Sequence, residues 1–279
     1  MKLLTLIFLL LHFQTFACDC EPPPVALDFL RSKYVFFGSI TEKNIAEDSL
    51  TYTVTFRIDK HYKKNGSDPK FLDFTLPLKS QFSTCGSNAN KDGKWLVYAY
   101  ERGAEISFYT YCSNSKRYRA LENIDEQELS LLEQGNEIDI NEIIFERALI
   151  KSAYEEFEGA EPKTQASSLL MQVKPKYYKG LAKTHLERAI IYINKDGEIT
   201  NIVIPDKSLK YESEMKYDFI HLKYKPADTL TKLQKGIVKV LKQGEPWKPA
   251  RYNGKTVNSR VFVRITFDIN GRLIISDLY

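Results

Sequence analysis

Histidine is scarce in this chain of 279 residues: there are four, and His61, His185 and His221 stand isolated beyond a leader that contains His12. No H-E-x-x-H pair occurs, and no cysteine accompanies a histidine at zinc-ligand spacing, so the pattern names no metal centre. Also missing are the G-x-S-x-G elbow of hydrolases, the Walker phosphate loop and the G-x-G-x-x-G dinucleotide turn. With none of these constellations present, the chain reads as a non-enzyme that needs no cofactor. Long hydrophobic runs are missing too. Past residue 17 nothing approaches the ~18 apolar residues of a membrane-spanning helix, which argues against an integral helical membrane protein. Cysteine is sparse as well, at Cys18, Cys20, Cys85 and Cys112, all in the first half.

What is present begins with the leader. Lys2 supplies a basic start, Leu3 to Phe13 form a short apolar run, and Thr15 and Ala17 precede a cleavage point before Cys18. Residues 1–17 are therefore expected to be a signal peptide, and the mature protein to be periplasmic or extracellular. A lipid-anchored Cys18 is the competing reading. Thr15 stands where lipoprotein signals carry an aliphatic residue, so plain cleavage is preferred.

An even cysteine count in an exported chain argues for two disulfides. Four cysteines allow three pairings. A bond between Cys18 and Cys20 closes a strained ring, so each is expected to reach a different strand. Between the cysteines the chain reads as short strands separated by turns. "TYTVTFRI" alternates, with Tyr52, Val54, Phe56 and Ile58 on one face; "FLDFTLPL" repeats this with Leu72, Phe74, Leu76 and Leu78. "KWLVYAY" is continuously apolar after the turn "NKDG", and "EISFYTYC" places Ile106, Phe108, Thr110 and Cys112 together. Such spacing suggests a small barrel or sandwich over residues 18–135, closed by a polar helical segment, "IDEQELSLLEQG".

Residues 136–168 form an acidic stretch, with 3 Lys/Arg against 8 Asp/Glu. Ile140, Ile143, Ile144, Ala148, Tyr154 and Phe157 have helical spacing, so an amphipathic helix over 137–158 and a linker over 159–168 are expected. Residues 170–279 are strongly basic, with 21 Lys/Arg against 11 Asp/Glu. The stretch "KPKYYKG" adds aromatic rings to that charge. The plain reading is a solvated basic face; as a binding surface in an exported protein it favours an anionic envelope polymer or a lipid surface over nucleic acid.

The last segment, 169–279, contains two similar hairpins, "ERAIIYINKDGEITNIVI" and "RVFVRITFDINGRLIISDLY", each with an Asn/Asp-Gly turn. Between them "TLTKLQKGIVKVLKQG" carries Leu233, Ile237, Val240 and Leu241 at helical spacing, with Gly244 as terminator. These elements predict an α+β domain, a helix packed on an antiparallel sheet.

These motifs carry two resemblances. "C-x-C-x-P-P", "KYVFFGSI" and "TCG…DGKWLVYAY…YCSNS" are similar to the N-terminal domain of the tissue inhibitors of metalloproteinases, within the wider netrin-like group. The resemblance implies a five-stranded OB-type barrel stapled by Cys18–Cys85 and Cys20–Cys112. It also implies metalloprotease inhibition, in which the freed Cys18 amine and carbonyl chelate the target's catalytic zinc and Asp19 enters its specificity pocket, with Cys20 holding the segment. The family carries a small hydroxyl residue where Asp19 stands. "W-K-P-A-x-x-N-G-K-x-V", with Trp247, Pro249 and Gly254, resembles the C-terminal domain of the TonB family, and implies contact with outer-membrane proteins through a sheet edge. The combined expectation is a mainly β, then α+β, non-catalytic binding protein of the bacterial cell envelope. Its partner would be a protein, peptide or polymer, and alternatively a zinc metalloprotease.

Overall fold

A computed structural model describes residues 21–66, 68–78, 88–103, 105–111, 113–146, 156–163, 173–177, 186–206, 208–244, 246–267 and 273–277. The chain divides into two compact units between Glu137 and Ile138.

The first unit is built on strands β1 (Tyr34–Ile45), β2 (Thr51–His61), β3 (Phe71–Pro77), β4 (Lys94–Arg102) and β5 (Glu105–Phe108). They form one antiparallel sheet in the order β3-β2-β1-β4-β5, with a short β6 (Lys116–Tyr118) added to β4. The twelve-residue β1 serves two neighbours, β4 through Tyr34–Ser39 and β2 through Phe36–Ile45. Its register shifts at Phe37/Gly38 and again at Ile40/Glu42. Such bulges bend a strand and raise its twist, which curls the sheet on itself. Gly38 permits the first one, because a Cβ there would lie 2.6 Å from the Arg57 carbonyl oxygen.

The alternation read in β2 and β3 puts Tyr52, Val54, Phe56, Phe74 and Leu76 inside. Four phenylalanines form the centre. Phe56 meets Phe36, Phe74 and Phe108 edge-on at 5.6, 5.7 and 5.7 Å. Phe74 on β3 meets Phe108 on β5 at 5.1 Å, so the two outer strands face each other and the sheet is nearly closed. Edge-on aromatic pairs add roughly 0.5–1.5 kcal/mol beyond burial.

Strand β4 is buried on both faces, which explains its unbroken apolar sequence. Trp95, Val97 and Ala99 belong to the inner cluster. Leu96, Tyr98 and Tyr100 lie on the outer face with Phe29 of α1 (Val25–Arg31) and Leu132 of α2 (Glu126–Gln134). The Asp125 side chain caps α2 by accepting from the Gln127 and Glu128 amides, as the polar segment leads one to expect. At its end Gly135 lies so close to Phe29 that a Cβ would fall 2.4 Å from the ring.

The second unit holds a four-stranded antiparallel sheet made of β9 (Glu187–Ile193), β10 (Ile199–Val203), β16 (Ser259–Phe267) and β17 (Leu273–Asp277), in the order β10-β9-β16-β17. Both hairpins read from the sequence are present, and β9 pairs with β16 to join them. Helix α3 (Lys232–Gln243) buries Leu233, Ile237, Val240 and Leu241. A reciprocal capping box starts it, Thr231 accepting from the Gln234 amide and Gln234 from the Thr231 amide. Between hairpin and helix, β11 (Tyr211–Lys216) and β12 (Phe219–Tyr224) form a two-stranded ribbon laced by Lys223–Glu214 and Lys225–Glu212 ion pairs.

Three expectations need correction. Among the described residues of 137–158 there is no long helix. Ile140–Glu142 is one turn of 3-10 helix, and Phe145 bridges Ser259 in parallel. Ile143 and Phe145 are buried on a two-residue period. Sheet-like pairing with Asn258 and Arg260 outcompetes the helical pattern here, since Phe145 donates to the Asn258 carbonyl and accepts from the Arg260 amide. Residues 147–155 lie outside the described residues. The last residues of the expected helix are strand β7 (Phe157–Glu158), which joins β14 (Ala250–Tyr252), and the expected linker contains β8 (Glu161–Pro162), which joins β13 (Trp247–Lys248). Finally, β5 stops at Phe108, short of the run read through to Cys112.

Candidate functional site

The described chain begins at Glu21, immediately beyond the Cys18-Asp19-Cys20 segment, and the stretch Pro23–Arg31 is bolted to the barrel through one buried carboxylate. Asp28 lies on α1 with no exposed surface. Its Oδ1 accepts from Arg31 Nε at 2.8 Å and from the Tyr100 hydroxyl at 2.6 Å. Its Oδ2 accepts from the Asn114 backbone amide at 2.8 Å and the Asn114 side-chain amide at 2.9 Å. The same Asn114 amide group donates to the Pro23 carbonyl at 2.9 Å, fixing the polyproline segment as well. Every lone-pair direction of the carboxylate is used, so it acts as a bolt between α1 and the barrel.

Tyr100 is kept as a donor. Burial first, then the Asp28 charge, push its phenol well above the usual tyrosine range, against the opposing pull of Arg31. The Arg31 guanidinium lies 4.6 Å from the Tyr100 ring centroid, adding a cation–π contact. The other end of α1 is held separately. Lys63 donates to the carbonyls of Phe29, Leu30 and Ser32 at 2.6, 2.8 and 2.6 Å, the oxygens a helix C-terminus leaves unpaired. The sequence signal for this anchor was modest: an Asp three residues before an Arg, inside an otherwise apolar "VALDFLR".

A second polar group lies under α2. Glu128, 7% exposed, accepts from the Tyr118 hydroxyl at 2.9 Å and from Lys116 at 3.4 Å. Nearby phenols respond to burial first and then to carboxylate charge, Tyr98 to Glu128 and Tyr62 to Glu133 and then Glu128. Tyr98 is pushed well above its ordinary value, and Tyr62 up to about 12.

The residues singled out from the sequence fall in two groups. Cys18, Asp19, Cys20, Cys85 and Cys112 lie outside the described residues. Trp247, Pro249 and Gly254 are described, Trp247 as a packed side chain and Gly254 as a turn residue. Trp247 is 2% exposed, and its amide donates to the Gly197 carbonyl at 2.7 Å. Gly197 in turn has φ +87°, and a Cβ there would fall 2.0 Å from the Trp247 oxygen. Thus the turn over residues 194–197 and the tryptophan motif are one packed unit. Gly254 follows Asn253 in the tight turn from β14 to β15 (Lys255–Val257), with φ of 76° and 47° respectively.

Among the described residues no three His, Cys, Asp or Glu side chains gather as a metal ligand set. Nor is any helix among them long and apolar enough to cross a membrane. The chain matches no protein-family model and no curated protein.

Proposed function

We propose that this is an exported, non-catalytic binding protein of the cell envelope, recognising a protein, peptide or envelope polymer with the N-terminal end of its barrel. The observation that carries the reading is the Asp28 network. A buried carboxylate, a buried arginine and a phenol together fix the Pro23–Arg31 segment, so whatever precedes it is displayed from a rigid base. Pre-ordering of that kind lowers the entropic cost of binding. The strand order supports an OB-type barrel: β1-β2-β3, then β5 against β3, and β4 back to β1. The test is a photo-reactive residue at Tyr111, which is 44% exposed and three residues before Asn114, with Ile45 at the far end of β1, 59% exposed, as control. A discrete adduct in the native envelope from Tyr111 and none from Ile45 is expected. Equal labelling, or none, overturns the assignment of this surface.

One observation favours a second reading, metalloprotease inhibition through the Cys18 amine. The Pro23–Asn114 hydrogen bond joins positions three residues past Cys20 and two past Cys112. That spacing is compatible with a bridge between the two cysteines, the pairing implied by the resemblance, and such a bridge would complete the rigid display of Cys18. Under this reading Asp19→Thr removes a carboxylate that would face the glutamate-rich site of a zinc protease, and inhibition of such a protease should appear or strengthen at least tenfold. A lipid adduct on Cys18, or cleavage elsewhere, found by intact mass and N-terminal sequencing, ends the amine mechanism.

A further inference from the structure

The second unit carries a groove whose charge is unbalanced. Helix α3 presents Lys232, Lys235 and Lys239 along one side, and Lys176 and Tyr177 from the 3-10 turn Pro175–Tyr177 face them across Gly236. This open groove has a volume of about 500 Å³, the size of a small-ligand site. Among the described residues no carboxylate lines it, and none of the four lysines takes part in an ion pair.

Two further features set the groove apart from a solvated basic face. Like charges three and four residues apart on a helix repel, costing a few tenths of a kcal/mol per pair, and surface helices ordinarily relieve this with interleaved acids. Here the first turn of α3 has none. The groove's floor is also specifically shaped. Gly236 sits mid-helix, where glycine costs about 0.5–1 kcal/mol relative to alanine. Any Cβ there would lie 3.2 Å from Val173 and 3.3 Å from the Tyr177 ring. The glycine lets the 3-10 turn approach and brings Lys176, whose Nζ lies 5.5 Å from the Tyr177 ring centroid, to the opposite wall. The amino end of α3, with its positive dipole end, opens beside Lys232.

From four lysines lining one groove that holds no carboxylate among the described residues, we propose that it binds a ligand bearing clustered phosphate groups. Lysines suit phosphate as mobile point charges, and several of them around one cavity match a ligand with several closely spaced negative charges. The groove shares no residue with the barrel's N-terminal segment and stands whether or not that segment engages a protein.

The test uses the full-length mature chain and two probes, inorganic tripolyphosphate and vesicles of one part phosphatidylglycerol to three parts phosphatidylcholine. Titration calorimetry and vesicle co-sedimentation are run on the wild type, on Lys235→Glu/Lys239→Glu, and on Lys195→Glu/Lys255→Glu, a pair of exposed lysines outside the groove with the same change in net charge. Expected is tripolyphosphate binding that falls at least tenfold in the groove variant and less than threefold in the control. Binding of tripolyphosphate alone supports the proposal with a soluble phosphate as the source; binding of both probes, lost together in the groove variant, supports it with a lipid headgroup as the source. Absence of tripolyphosphate binding, or equal loss in both variants, overturns it.

Discussion

Asp28 accepts four hydrogen bonds, one of them part of an ion pair, while fully excluded from water, and its worth is asymmetric. Removing one partner of a buried pair leaves the other charge unpaired, and the usual cost is about 3–5 kcal/mol. Asp28→Asn should therefore strand Arg31, whose side chain is 5% exposed, and lower barrel stability by about 3 kcal/mol in urea unfolding. A loss below about 1 kcal/mol would mean that Asn114 and Tyr100 re-pair around the amide. The Asp–Arg spacing in "VALDFLR" was too modest a signal to foretell that the acid faces inward. Its partners arrive from Tyr100 and Asn114, 72 and 86 residues away. A comparable pair holds the second unit: Arg260 meets both carboxylate oxygens of Glu146 at 2.6 Å and also donates to the Leu222 carbonyl.

Elements whose signals are local were readable in advance. The buried face of α3 and its Gly244 stop sit where the sequence places them. The alternation of β2 and β3 likewise matches the inner face of the barrel. Elements decided by distant partners were not readable. Helix α1 is seven residues long and held by Lys63 and Asp28, and the 137–158 pattern yields to pairing with Ser259. The tryptophan motif was legible as a motif, yet its packing against the turn at Gly197 was not. That contact carries a prediction at this scale. Gly197→Ala forces both a disfavoured φ and a clash with the Trp247 oxygen, so the β9–β10 hairpin should be destabilised by at least about 2 kcal/mol. Gly254→Ala, with open space around its Cβ, should cost less than Gly197→Ala. The two melting temperatures, compared side by side, check the order.

Each unit contains one of the two tryptophans, Trp95 in the barrel and Trp247 in the second unit, both buried. Single-tryptophan variants therefore report the two units separately. Alkaline pH should divide them. Tyr62, with an ordinary value of 10.0, is held up to about 12 in the folded barrel, and Tyr98, Tyr100 and Tyr118 are shifted the same way. Between about pH 10 and 12 the unfolded chain releases these protons while the folded barrel keeps them, so stability falls as pH rises through that window and is fully retained below pH 10. In the second unit Tyr224 is also raised, by burial first, but the barrel concentrates the effect. The Trp95 transition should move to lower urea between pH 9 and 11 by more than the Trp247 transition. The Asp28 bolt has a final consequence, in time and not in space. Synthesis proceeds from the amino end, and the amide that locks the carboxylate belongs to Asn114. Until that residue has emerged, the Asp28 carboxylate lacks both of its amide partners and the Pro23 carbonyl lacks its donor. The amino-terminal segment is thus the first part of the unit to be made and among the last to be fastened, and a nascent chain halted before residue 114 should leave it open to protease.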